Sequence, residues 1–142
     1  GHVAASLDEA LAADLLATVT PGRKVLLEAG SLRPGQHVSL MGADGPGKAE
    51  IAVEELARVR VFCDDWEQAS HGGECAAAVE VGVVTRDDVT GLGDALVGSA
   101  PGRVSADEIT AFDSTGLALQ DLAVALAALE QRDALDLPIV PL

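Results

Sequence analysis

Residues Gly42-Ala-Asp-Gly-Pro-Gly-Lys48 constrain this chain more than any other stretch. They form a glycine-rich turn caught between an apolar run, His37-Val-Ser-Leu-Met41, and a helix-like run, Glu50 to Ala57. A strand that stops at glycines and resumes as a helix gathers free backbone N–H groups and a helix N-terminus at one spot. That is how α/β proteins hold phosphates and other anions. The pattern therefore places function at the carboxyl edge of a parallel sheet.

The segments around the loop read as further short strands. Ser6-Leu-Asp-Glu9 is a capping-box pattern and opens a short helix to about Ala13. Leu15 to Thr20 reads as a buried strand closed by Pro21-Gly22, and Val25 to Glu28 as a second short extended piece. Val59-Arg-Val-Phe-Cys63 is a further apolar strand ending in Asp64-Asp65. Strands separated by helical or loop segments favour parallel pairing with right-handed crossovers. The strand ends Thr18 to Thr20, Asp44 and Asp64 are then expected at one edge.

The second half changes character. Trp66 to Val81 predicts a helix kinked at His71-Gly-Gly-Glu74, and Asp87 to Leu96 predicts another helix with Thr85 as its N-cap. Ser105-Ala-Asp-Glu108 repeats the capping-box pattern, and Ile109 to Phe112 is a short strand. Asp113-Ser-Thr-Gly116 then starts the longest helix, Leu117 to Gln131. It is apolar on nearly every side and so expected to be buried.

Composition narrows the partners. At 142 residues and 49% hydrophobic content, one globular domain is expected, with a core of Ala, Val, Leu and Ile because Phe62, Trp66 and Phe112 are the only aromatics. A formal charge of −14 argues against nucleic acid and anionic membranes as partners. No apolar stretch reaches the roughly 20 residues of a membrane span. Cys63 and Cys75 fit two buried thiols in a reducing cytoplasm better than a disulfide framework. The chain does not open on methionine, its single one being Met41, and it reads as a piece of a longer protein.

Several chemistries compete for the motifs. Gly42 to Lys48 satisfies the first seven positions of the phosphate-loop pattern, but Ala49 stands where a metal-ligating hydroxyl belongs. The dinucleotide glycine fingerprint is absent after both Gly45-Pro-Gly47 and Gly91-Leu-Gly93. Asp44 is either an acceptor for turn amides or a reactive carboxylate at the mouth of a cleft. His71, Glu74 and Cys75 lack the four-ligand spacing of a zinc site, so no metal is assigned. Asp113 to Gly116 is either a plain helix cap or a cap facing a ligand.

Three blocks in series go further. Gly42 to Glu50, Asp64 to Glu74 (Asp-Asp-Trp-Glu-Gln-Ala-Ser-His-Gly-Gly-Glu) and Glu108 to Ala123 resemble the ornithine cyclodeaminase and mu-crystallin family, most closely its alanine dehydrogenase branch. The resemblance runs from about Leu7 to Glu130. It implies an α/β chain, the second half of a Rossmann-type doubly wound parallel sheet with C-terminal helices. The whole of 1–142 would be one truncated domain: a half sheet over 3–65, a helical part with one short strand over 66–132, and a tail over 133–142.

The resemblance also implies an NAD- or NADP-dependent enzyme that moves a hydride at the amino-bearing carbon of a small L-amino acid. Asp44 would be the acid/base carboxylate, which crystallin-type members lack. Thr18, Thr20, Gly42, Ala43, Ser114, Thr115 and Gly116 would flank the nicotinamide. The family's substrate domain and glycine fingerprint precede the matched region, so the piece alone is expected to be catalytically inactive and to hold cofactor poorly. An exposed sheet edge would favour homo-oligomers. The alternatives are a non-catalytic interaction module and a phosphate-loop nucleotide binder.

Overall fold

The computed structural model describes residues 3, 6–21, 23–43, 45–132 and 134. Short runs of β-branched and apolar residues form five strands: β1 (Leu15–Thr18), β2 (His37–Leu40), β3 (Arg60–Cys63), β4 (Val89–Gly91) and β5 (Thr110–Asp113). All pair in parallel in the order β1-β2-β5-β3-β4. The latest strand in sequence therefore sits at the centre, inserted between β2 and β3.

The register carries the functional consequence. Thr18 pairs with Leu40, Leu40 with Asp113, Asp113 with Cys63 and Cys63 with Gly91. All five strands thus end on one row, and whatever follows each of them emerges at the same edge.

On one face of the sheet, Val38, Leu40, Val61, Cys63 and Ala111 are buried in the core cluster. Leu56 of α2 (Val53–Leu56), Ala69 of α3 (Trp66–Gly72) and Ala78 of α4 (Ala76–Glu80) complete it, together with Leu27, Leu32 and Ile51. Side chains alternate along a strand, so Phe62 and Phe112 lie on the other face. There they line a hollow of about 550 Å³ with Leu15, His37 and Thr110, and with Leu92 and Ala95 of α5 (Leu92–Val97).

Several elements differ from the sequence expectation. β1 is an edge strand rather than a buried one, with Leu15 76% exposed. The run from Glu50 does not start as a helix, because Ile51 forms a parallel bridge with Leu27 and α2 begins only at Val53. The kink expected in Trp66 to Val81 is a full break that separates α3 from α4. The helix expected over Asp87 to Leu96 is instead a 3-10 turn (Arg86–Asp88), β4 and α5 in succession. Thr85 does cap that turn, its amide and hydroxyl both donating to the Asp88 carboxylate. Ser105 to Glu108 makes a turn and no helix.

α1 (Leu7–Leu11) is capped as expected, with Ser6 Oγ accepting from the Glu9 amide at 3.2 Å. The largest correction concerns α6 (Ala118–Glu130), which was expected to be buried and has no buried residue. Its Leu119, Leu122, Val124, Leu126 and Leu129 are 52–70% exposed. The helical part also contributes β4 and β5, two strands rather than one, so the sheet is not confined to 3–65. The tail expected over 133–142 lies outside the described residues except for Ala134.

Candidate functional site at the carboxyl edge of the sheet

Two carboxylates organise the edge. The Glu50 side chain is wholly buried and accepts from Thr18 Oγ1 at 2.5 Å, Thr20 N at 2.8 Å, Thr20 Oγ1 at 2.6 Å and Gly42 N at 3.0 Å. It thereby ties the end of β1 to the turn after β2. Gly42 is required by this close approach, since a Cβ there would lie 2.4 Å from both the Thr20 carbonyl oxygen and Glu50 Cδ. Burial pushes the Glu50 carboxyl up, but its donors from Thr18, Thr20 and Gly42 together hold it below the usual carboxylate range.

Asp64, at the end of β3, does the same for the loop after β5. It accepts from Thr115 Oγ1 at 2.8 Å, Gly116 N at 2.8 Å and Thr115 N at 3.1 Å. Gly116 sits in the left-handed region at φ 76°, a conformation glycine adopts at no steric cost. Burial raises the Asp64 carboxyl and the Thr115 and Gly116 donors outweigh it, so it too is held low.

Beneath these lies a second acidic layer, to which the His71-Gly-Gly-Glu74 motif contributes Glu74. Glu74 is buried and accepts from the amides of Glu50 at 2.8 Å and Ile51 at 3.2 Å. Burial pushes its carboxyl up to about 7, and the nearby Asp113 and Glu50 charges add to the rise. Asp113 is buried at the end of the central strand and accepts from the Cys75 amide at 3.0 Å. Its pKa is raised by burial. Burial likewise pushes the Cys63 thiol up to about 11 and the Cys75 thiol higher still, which leaves neither as a thiolate nucleophile.

A cleft of about 400 Å³ opens between the two loops, lined by Gly45, Pro46, Glu67, Gln68, His71, Gly72 and Thr115. His71 Nδ1 lies 2.7 Å from the Glu67 carbonyl oxygen. A carbonyl only accepts, so Nδ1 carries the proton.

The structure thus brings Thr18, Thr20, Gly42, Ala43, Ser114, Thr115 and Gly116 to one edge, Ser114 through its amide to Leu40 O at 3.0 Å. Asp44 lies outside the described residues. Sequence reasoning missed Glu50, Glu74 and Asp113 as anchors. The signal available was acidic residues set inside otherwise apolar segments. Two features count against the phosphate-loop reading. The amides of Glu50 and Ile51 that follow the loop are occupied by Glu74, and α2 is a four-residue helix starting at Val53.

Residues 2–134 match the model of the ornithine cyclodeaminase/mu-crystallin family. The chain belongs to this family. Among its relatives, the alanine dehydrogenase of Archaeoglobus fulgidus is 48% identical over 124 residues, which is 87% of this chain and 38% of that protein. The iminosuccinate reductase of Paracoccus denitrificans is 40% identical over 118 residues, covering 83% of this chain and 37% of that one. Among solved structures, an archaeal alanine dehydrogenase dimer with bound NAD superposes with a TM-score of 0.81 at 45% identity, over 89% of this chain and 40% of that chain. The Paracoccus denitrificans iminosuccinate reductase in complex with NAD+ gives 0.84 at 37% identity, over 91% and 40%. This family member therefore spans well under half the length of the relatives it matches.

Proposed function

We propose that this chain is the NAD(P)-binding part of an amino-acid oxidoreductase or deaminating lyase, working with the rest of a longer protein. One observation carries the reading. The strand-end loops at Thr18 to Thr20, Gly42-Ala43 and Ser114 to Gly116 lie over a single edge of an all-parallel sheet, held there by Glu50 and Asp64. Ligands of open α/β sheets bind outside the carboxyl ends of the strands. The residues present fit a flat cofactor ring. A Cβ at Gly45 or Gly116 would meet nothing within 4 Å, so the space over both loops is open. The adjoining cleft of about 400 Å³ is of ligand size.

When bound, the nicotinamide supplies the hydride acceptor for the amino-bearing carbon of a small L-amino acid. The chain's residues do the rest. Asp44 takes the proton leaving the amine as the C–H bond breaks and C=N forms, and the ionised form of its carboxyl is the competent base. Thr115, held by Asp64, and the Gly42 turn, held by Glu50, would form the rim that holds the nicotinamide. The resulting imine is either hydrolysed to an oxo acid and ammonia or captured by a side-chain amine in ring closure. A cytoplasmic setting fits this chemistry, and among the described residues no helix is long and apolar enough to cross a membrane.

A second reading, an interaction module without catalysis, is favoured by the exposed leucines of α6. One experiment separates them: titration of the isotope-labelled chain with NADH and, separately, with Mg-ATP, read at individual amides. Saturable NADH shifts at Thr18, Gly42 and Thr115 with an apparent Kd of about 1 mM are expected. NADH shifts confined to another surface, or tighter binding of Mg-ATP, would overturn the reading.

A further inference from the structure

We propose that Glu50 is the positioning residue of the cofactor edge: its carboxylate sets the separation of the β1 end and the Gly42 turn, and hence the width of the seat offered to the nicotinamide. The role rests on the cofactor reading above and goes beyond it by naming a residue that touches no ligand.

The geometry is specific to a carboxylate. Oε1 receives the Thr20 amide and hydroxyl, and Oε2 receives the Thr18 hydroxyl and the Gly42 amide. Two oxygens thus meet four neutral donors, which matches their acceptor capacity. Each oxygen takes one rotatable hydroxyl and one backbone amide that cannot reverse its polarity. A glutamine of the same shape must turn its NH2 toward one of those two amides, and that contact becomes donor against donor. An aspartate keeps the charge but is one methylene shorter and cannot span both loops.

The post itself is anchored on both sides. Its amide is held by Glu74 at 2.8 Å, and its carbonyl oxygen accepts from Leu26 N at 2.7 Å and Leu27 N at 3.0 Å. The backbone of Glu50 is therefore fixed in the core while its side chain reaches out to the edge. A buried carboxylate is a poor way to gain stability, because an apolar replacement fills the same space without desolvating a charge. What the carboxylate provides is a distance between two loops that apolar packing does not define.

The test uses the full chain, wild type and Glu50→Gln, with amide hydrogen exchange and NADH titration read in the same samples. Slow exchange at Val38 and Ala111 reports an intact core. Exchange at Gly42 and Thr20 should rise about tenfold in E50Q, and apparent NADH affinity should fall about tenfold. Thr20→Val added to E50Q should cost little more than E50Q alone, because both changes break one contact set. That non-additivity shows only that the two residues share a contact; the discriminating readout is affinity, which a residue acting only on global stability would leave unchanged where the core is intact.

If E50Q does not fold, Thr18→Val and Thr20→Val each remove a hydroxyl donor to Glu50 from a half-buried site. Each should weaken NADH several-fold and also speed exchange at the Gly42 amide on the other loop, which loss of a direct threonine–cofactor contact would not do. An intact E50Q, or both threonine variants, binding NADH within twofold of wild type would overturn the role of Glu50 alone. Absence of NADH shifts at Thr18, Gly42 and Thr115 in the wild type would overturn the cofactor reading and this role with it. The exchange data would still show whether Glu50 clamps the two loops.

Discussion

Glu74 makes stability depend on pH in a direction opposite to Glu50 and Asp64. Burial raises its folded-state pKa to about 7, above the ordinary value of 4.5. The folded state therefore binds a proton that the unfolded chain has released. Its contribution is fully present below pH 4.5 and is lost as pH rises through about 7, a change on the order of 3 kcal/mol. Glu50 and Asp64 are depressed, so their contributions hold above their ordinary values and fade as pH falls below them. Urea unfolding followed from pH 4.5 to 8 should show stability declining toward the alkaline end. Glu74→Gln should flatten that decline because it removes the titrating group. An amide oxygen can stand for Oε2, which receives both the Glu50 and Ile51 amides. Its NH2 replaces Oε1 and gives up the 3.0 Å bond from the Glu50 amide, a loss that is the same at every pH. A second residue-scale prediction contrasts two glycines. Gly73→Ala puts a Cβ 2.7 Å from both Asp113 oxygens and 2.8 Å from Ala69 Cα, and should cost about 1–3 kcal/mol in denaturant titration. Gly45→Ala meets nothing within 4 Å and should change stability by no more than about 0.5 kcal/mol. Of this anchoring layer the sequence displayed the pieces but not the contacts. His71-Gly-Gly-Glu74 stood out as a motif, yet Glu74 reaches an amide 24 positions away and only the folded chain brings them together.

At the scale of elements, what the chain displayed depended on whether a segment's pattern could be read locally. β2, β3 and β5 are apolar runs closed by glycine or aspartate, and they form within a residue or two of the expected bounds. β4 is three residues, Val-Thr-Gly, wedged between a capped 3-10 turn and a helix, and averaging over that window reads as one helix. α2 was expected too early because Glu50 and Ile51 are good helix residues. Tertiary bonds to Glu74 and Leu27 hold them extended instead. The helix α6 was legible as a helix, but burial is a property of neighbours rather than of a hydrophobic period. Its Leu119, Leu122, Leu126 and Leu129 follow a three-four-three spacing that places them along one side. Since none of them packs into the core, Leu122→Gln with Leu126→Gln should leave the thermal midpoint within a few degrees of wild type. A large drop would mean that α6 is clasped to the sheet in solution.

At the scale of the whole molecule, an all-parallel sheet ordinarily has both faces covered. Here one face carries the core cluster, while on the other the exposed Leu15 stands at a hollow of about 550 Å³, also lined by the buried Phe62 and half-buried Phe112, beside the edge strand β1. An apolar face next to an unpaired strand edge is a template for a second chain. Against that pull stands a formal charge of −14, so like molecules repel before the faces can meet. The balance is therefore set by salt, since the screening length falls from about 30 Å at 0.01 M to about 8 Å at 0.15 M ionic strength. Sedimentation velocity should show monomers at low salt and a growing associated fraction as salt rises. Leu15→Lys adds a charge at the edge of the hollow on a residue already 76% exposed, so it should suppress association without lowering stability. Association that ignores salt and survives Leu15→Lys would place the contact elsewhere, with the leucine side of α6 as the next surface to mutate. Suppression by Leu15→Lys would instead place the contact on this face, at the start of β1 and so at the opposite end of the strand from Thr18 and the strand-end loops.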